Sequence, residues 1–164
     1  MGKFQLRPDG SMEVQKLKIG RVPTLVLRPK SGAVNIGVLW IHGGGYILGM
    51  KEMVYMGRGA DLVKKFGVTV LSPGYRLAWQ KPWPAAVNDC FKVLEHMDKQ
   101  MGFDAIMVGG ESAGGGLCAA VCMMARDRGI KVSFQMPLYP MISNIDTESS
   151  RDNHGKVWNT RRNH

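Results

Sequence analysis

Residues 108–117 read VGGESAGGGL and place a single serine, Ser112, between glycines. An apolar run, DAIMVGG, leads into this stretch, and residues 113–126 then carry the apolar spacing of a helix. Gly110 to Gly114 fit the pattern G-x-S-x-G, in which small flanking residues let a strained turn hold a serine between a strand and a helix. Ser112 is therefore a candidate nucleophile, and a serine nucleophile needs a base to take its proton.

The rest of the chain alternates β-rich runs with helical patterns. The predicted strands are residues 22–29, 34–42, 68–73, 104–110 and 132–140, and the predicted helices are residues 51–66, residues 113–126 and the stretch from Pro84. The turn composition KSGA between the first two strands predicts an antiparallel hairpin. Strands that alternate with helices predict an α/β fold, with a parallel sheet covered on both faces. Pro137 cannot donate to a ladder, so it marks the end of the last strand or an edge.

Two of the predicted helices have clear apolar faces. The residues of these faces are Met56, Ala60, Val63 and Phe66 in the first helix, and Val87, Cys90, Phe91 and Leu94 in the second. Their spacing of three or four residues is typical of amphipathic helices, and Gly67 ends the first pattern.

A second motif, HGGGY at residues 42–46, follows the predicted strand 34–42. Consecutive glycines let backbone N–H groups point inward, and such donors stabilise the oxyanion of a tetrahedral intermediate. Gly43 and Gly44 are candidate donors, and Gly45 is a further one. The amide of Ala113, which follows the serine at the start of a helix, is another.

Five segments follow one another in the order and spacing of a known family: WIHGGGYILG, LSPGYRLA, PWPAAVNDC, VGGESAGGGL and PLYPMI. Residues 34–142 thereby resemble the hormone-sensitive-lipase-like branch of the α/β-hydrolase fold, the HGGG and GxSxG esterases and lipases. The resemblance implies a carboxylic-ester hydrolase in which Ser112 is the nucleophile and the amides of the two motifs bind the oxyanion. It implies that His42 organises the glycine loop, with Gly110 and Gly114 as structural support, and that no metal or organic cofactor takes part.

No triad acid and no triad histidine can be identified in the sequence. In this fold both follow the serine along the chain. The downstream candidates are Asp127, Asp146, Glu148, Asp152, His154 and His164, and none of them has the strand-loop context of the fold. His154 lies in a polar stretch typical of solvated histidines, and His96 precedes the serine within a helix.

We therefore expect residues 1–164 to form one partial α/β-hydrolase domain that lacks the C-terminal strands of the fold. Residues 143–164 are expected to be a polar tail or the start of a lid or linker segment. The expected partners are a small-molecule acyl ester and either the remainder of the fold or another copy of the chain. Two alternatives stay open: a non-catalytic protein that binds a small ligand on the same scaffold, and an inactive truncated product.

Composition excludes several other classes of protein. The net charge is +9, but the basic residues are spaced without a basic run or an aromatic platform, which predicts a solvated surface and no nucleic-acid partner. A membrane-spanning helix needs about 20 consecutive apolar residues, and no stretch of the sequence is nearly that long. The N-terminus lacks the apolar core of a secretion signal. We therefore expect a cytoplasmic protein. Three cysteines, Cys90, Cys118 and Cys122, are expected to be reduced and buried thiols.

Overall fold

The computed structural model describes residues 8, 10–143 and 145. Its elements in chain order are β1 (Met12–Ile19), β2 (Val22–Pro29), β3 (Ile36–Ile41), a 3-10 helix (Lys51–Tyr55), α1 (Arg58–Phe66), β4 (Thr69–Pro73), α2 (Ala85–Gln100), β5 (Ala105–Glu111), α3 (Ala113–Asp127) and β6 (Phe134–Leu138). Of the predicted polar tail, only residues 143 and 145 belong to the described part.

The six strands form one sheet in the order β1-β2-β4-β3-β5-β6. Strands β4, β3, β5 and β6 run parallel to one another, whereas β1 and β2 pair antiparallel with each other and β2 pairs antiparallel with β4. The predicted mostly parallel sheet with an antiparallel hairpin at its start is confirmed. Because β3 and β5 run side by side in the same direction, the residues that follow them meet at one edge of the sheet.

The strands of the hairpin were predicted wrongly. Residues 22–29 do not pair with 34–42; they pair with β1, which the sequence reading missed. The turn lies at Gly20, whose φ of 59° is in the left-handed region that glycine tolerates. Strand β3 is buried on both faces and lies between β4 and β5, whereas the mostly exposed β1 is suited to the edge of the sheet.

The core has two layers, one on each face of the sheet. Helices α2 and α3 pack on one face, where Leu39, Leu71 and Val108 of the strands contact them. Helix α1 and the 3-10 helix cover the other face, against residues such as Trp40 and Val70. The prediction of helices on both faces is therefore confirmed.

The two predicted apolar helix faces had different outcomes. All four predicted residues of α2 are buried: Val87, Cys90, Phe91 and Leu94. The predicted helix 51–66 is divided into the 3-10 helix and α1, with Gly57 between them. Ala60 and Val63 are buried as expected, but Met56, the C-cap of the 3-10 helix, and Phe66, the last residue of α1, are exposed. No helix in the described part is both long and apolar enough to cross a membrane.

Candidate active site

Ser112 occupies the junction between β5 and α3 in a strained backbone conformation. Its φ is 54° and its ψ is −116°, a conformation that a residue with a side chain rarely adopts, so the expected strained turn is found. A methyl group on Gly110 would overlap the carbonyl oxygen of Gly114, and one on Gly114 would overlap that of Ile41. Both flanking positions therefore require glycine, because any side chain would force the strand, the turn and the helix apart.

Strand β6 and the residues after it hold the backbone of Ser112 from the other side. The Ser112 N–H donates to the carbonyl of Leu138 at 3.0 Å. The Ser112 carbonyl accepts hydrogen bonds from the N–H groups of Gly116 and Met141, both at 3.0 Å. The strained turn is thus fixed both by its own helix and by a neighbouring strand.

The glycine loop after β3 lies against this turn. A methyl group on Gly43 would be 3.4 Å from Cβ of Ser112 and 2.9 Å from the carbonyl oxygen of Glu111. Gly44 and Gly45 have φ values of 118° and 60°, and the Leu48 N–H donates to the Gly44 carbonyl at 2.9 Å. The loop therefore folds back on itself with its first glycine beside the serine.

The backbone donors of the two motifs are not used elsewhere in the described part of the chain. Within it, and apart from bonds internal to a helix or strand, no backbone carbonyl accepts a hydrogen bond from the N–H of Gly43, Gly44, Gly45 or Ala113. Ala113 is the first residue of α3, so its N–H also has no partner within the helix. Free donors next to a serine are the arrangement that binds a developing oxyanion.

His42 is buried beside the glycine loop and contacts it through its ring. Its side chain is 4% exposed and stacks on Tyr75 with ring centroids 4.2 Å apart. Nδ1 lies 2.8 Å from the Gly43 carbonyl oxygen, and the Tyr75 hydroxyl donates to the His42 carbonyl at 3.0 Å. Burial lowers the pKa of His42, so the ring is neutral and Nδ1–H donates to Gly43. Nε2 is buried without a hydrogen-bond partner among the described residues.

This burial predicts that stability decreases in acid. His42 has a pKa below its ordinary 6.5 in the folded chain, whereas in the unfolded chain it takes up a proton below about pH 6.5. The free energy of unfolding should therefore have its full value above that pH and should decrease as the pH falls below it. Urea unfolding at a series of pH values would measure this slope, and His42→Asn should reduce it. Equal slopes in the two proteins would assign the acid sensitivity to other groups.

Two of the remaining candidates, His96 and Asp127, lie in the described part, and neither makes a hydrogen bond with Ser112. His96 lies on α2, and Asp127 is exposed at the end of α3, where it pairs with Arg126 at 2.8 Å. Asp146, Glu148, Asp152, His154 and His164 lie outside the described residues. The described part also contains no group of three or more side chains suited to hold a metal ion.

Sequence reasoning missed one residue at this site, Tyr46. Its φ is 64°, and its hydroxyl donates to the Met141 carbonyl at 3.0 Å, across 95 residues of sequence. Met141 in turn donates to Ser112, so Tyr46 connects the glycine loop to the turn that holds the serine. A non-local bond of this kind leaves no signal in the local pattern.

Comparisons with known proteins agree with this architecture. A profile described as alpha/beta hydrolase fold matches residues 38–164. The carboxylic ester hydrolase LipN of Mycobacterium tuberculosis is 35% identical over 131 residues, which cover 74% of this chain and 35% of LipN. An arylesterase of Saccharolobus solfataricus is 33% identical over 147 residues, which cover 82% of this chain and 46% of the arylesterase.

A solved structure of a hormone-sensitive lipase from a metagenome library superposes with a TM-score of 0.78 at 32% identity, covering 90% of this chain and 50% of the lipase. The chain thus spans half or less of the length of these three relatives. The expected resemblance to hormone-sensitive-lipase-like esterases is confirmed. Since the family model matches residues 38–164, which is most of the sequence, the chain belongs to the α/β-hydrolase fold family.

Proposed function

We propose that this chain carries the nucleophile and the oxyanion donors of a serine hydrolase that acts on carboxylic esters of small molecules. The observation that carries the proposal is Ser112, with a φ of 54°, beside the free N–H groups of the glycine loop and of Ala113. The names of the relatives, a carboxylic ester hydrolase and an arylesterase, support the same reaction class.

In the proposed reaction a base takes the proton of the Ser112 hydroxyl as its oxygen attacks the ester carbonyl carbon, and the carbonyl oxygen becomes an oxyanion. The N–H groups of Gly43, Gly44 and Ala113 donate to this oxyanion, with Gly45 as a further candidate. Each such donor contributes about 10²- to 10³-fold in rate in serine hydrolases. Collapse of the intermediate expels the alkoxide, which takes the proton back from the base, and water then hydrolyses the acyl-enzyme to the free acid and Ser112.

The base of this reaction is not among the described histidines. His42 is buried, and its Nδ1 is directed at the Gly43 carbonyl oxygen. His96 lies on α2, a helix that carries neither the serine motif nor the glycine loop. We therefore place the base and its acid outside the described residues, in the later part of the chain or in another polypeptide. His42 keeps its proposed structural role, with Gly110 and Gly114.

A fluorophosphonate probe followed by peptide mapping tests the proposed nucleophile. The chain has eight serines, so the seven others serve as an internal reference for non-specific modification. We expect the probe to modify Ser112 first and Ser112→Ala to abolish that modification. A non-catalytic ligand-binding protein on the same scaffold would instead show Ser112 modified no faster than the other serines.

The outer edge of β6 is a second part of this proposal. The Ser112 N–H donates to the Leu138 carbonyl, and Leu138 is paired with Glu111, so by alternation Met136 and Phe134 also direct their backbone groups towards β5. Pro137 therefore faces the outer edge, where it presents a carbonyl but no N–H donor. Phe134 is also exposed. We propose that this edge accepts a further strand, from a polypeptide equivalent to the part of the relatives that this chain does not cover, or from another copy.

Native mass spectrometry of the purified protein, compared with its mass under denaturing conditions, would test this pairing. We expect species heavier than the 18.1 kDa of one chain. A monomer of that mass with a cooperative thermal transition would contradict the proposal.

We also propose a cytoplasmic location, on the basis of the cysteines. Cys90 and Cys118 are buried free thiols and Cys122 is a half-buried one, and free thiols are typical of a reducing compartment. Fractionation of the source cells would test this location directly.

A further inference from the structure

A cavity of about 310 Å³ lies between the first turns of α2 and α3. Its lining residues are Tyr46, Ala78, Lys81, Trp83, Ala86, Gly116, Leu117 and Ala120. The cavity exists because three alanines and a glycine have small side chains or none, and aromatic and aliphatic groups form the rest of the wall. The only charged side chain is that of Lys81. Mostly apolar walls with few polar groups are the usual composition of small-molecule sites.

The wall formed by Tyr46 is held in place before any ligand binds. Its hydroxyl donates to Met141, and its carbonyl accepts the Ala78 N–H at 2.8 Å. Burial raises the pKa of the Tyr46 phenol, so the group stays protonated and keeps this hydrogen bond. A methyl group on Gly116 would overlap the same hydroxyl, which explains why this side of the cavity is open.

The rim of the cavity carries one cation and one exposed aromatic ring. Lys81 is exposed and forms no ion pair with any residue of the described part. The side chain of Trp83 is 77% exposed, although it borders an apolar space. A ligand with an apolar body and an anionic end would cover the ring and meet the ammonium group.

We propose that this cavity binds the hydrocarbon chain of a small amphiphilic carboxylate, with Lys81 pairing with the carboxylate and Trp83 covering the chain. A cavity of about 150 Å³ accommodates benzene, so about twice that volume has room for a chain of roughly eight carbons. Octanoate is therefore the test ligand. The inference does not depend on the proposed ester hydrolysis, because it requires neither Ser112 nor a base.

Titration with octanoate, followed by calorimetry and by tryptophan fluorescence, tests the site. We expect saturable binding, with a fluorescence change that Trp83→Phe removes. Ala120→Phe fills the cavity and should weaken binding at least about tenfold, because methylene groups of the displaced chain lose their burial. Ala119→Phe, on the same helix but outside the lining, should leave the affinity within about twofold. Equal affinities of these two folded variants would overturn the proposal.

Two further variants make the test specific. Ala86→Leu fills the cavity from α2 and replaces Ala120→Phe if that variant does not fold. Lys81→Gln should weaken octanoate about two- to fivefold, as for other exposed ion pairs, and leave binding of octanol unchanged. An equal effect on octanoate and octanol would overturn the pairing of Lys81 with a carboxylate.

Discussion

Gly114→Ala should destabilise the fold by about 3 kcal/mol, the upper part of the range for overpacked cores. The added methyl group would overlap the carbonyl oxygen of Ile41 and lie 2.5 Å from that of His42. Both contacts are backbone atoms, so no change of side-chain rotamer can relieve them. Helix α3 would have to move away from the end of β3, and the glycine loop that follows β3 would move with it.

Helix propensity alone would change the stability in the opposite direction. Alanine forms helices better than glycine by about 1 kcal/mol, so the same substitution without the contact would stabilise α3. Urea unfolding would measure the change. Gly102→Ala is a matched control, because nothing lies within 4 Å of its added methyl group and only its positive φ of 62° is unfavourable. A Gly114→Ala variant as stable as the wild type would contradict the close approach of α3 and β3.

Asp89→Ala should cost about 3 kcal/mol, because it removes one partner of a largely buried ion pair. The Asp89 carboxylate is 6% exposed and accepts hydrogen bonds from Nε and Nη2 of Arg76, both at 2.8 Å, and from the Arg76 N–H at 3.0 Å. Arg76 is itself 31% exposed, so water can solvate part of its charge after the substitution. This places the expected cost at the lower end for broken buried pairs.

The Arg76–Asp89 pair connects the loop after β4 to α2, and the same loop carries Lys81 and Trp83. Asp127→Ala is the matched control, since its pair with Arg126 is exposed on both sides and should contribute less than about 1 kcal/mol. Thermal unfolding of both variants would measure the difference. Equal losses in the two variants would mean that the Arg76–Asp89 pair is no more stabilising than a surface contact.

The elements that the sequence predicted well are those with a strong local signal. The apolar face of α2 was predicted from spacing alone, and the turn at Ser112 from the size of its neighbours. Strand β1 was missed because its outward residues are charged or polar and only Met12 and Ile19 are buried. The pairing of β2 was predicted wrongly because a turn composition says nothing about non-local neighbours, and β4 lies between β2 and β3.

The features of the candidate site are likewise of two kinds: those carried by local motifs and those that depend on contacts distant in sequence. The glycines and Ser112 belong to local motifs, so their identity and the strained turn at Ser112 were accessible from the sequence. The clamp that Leu138 and Met141 form on the Ser112 backbone depends on the parallel pairing of β5 with β6. The exposure of Met56 follows from Gly57, where the 3-10 helix gives way to α1 and the regular period is lost.

The central claim is that Ser112 and the backbone N–H groups beside it can hold a tetrahedral adduct. Phenylboronic acid tests it directly, because a serine hydroxyl converts trigonal boron into a tetrahedral anion that resembles the reaction intermediate. The adduct is an equilibrium product, so the test does not depend on how fast a base removes the serine proton. Boron NMR of the folded chain should show tetrahedral boron, and Ser112→Ala should abolish that signal. Only trigonal boron with the wild-type chain, or a tetrahedral signal that persists in Ser112→Ala, would contradict the account.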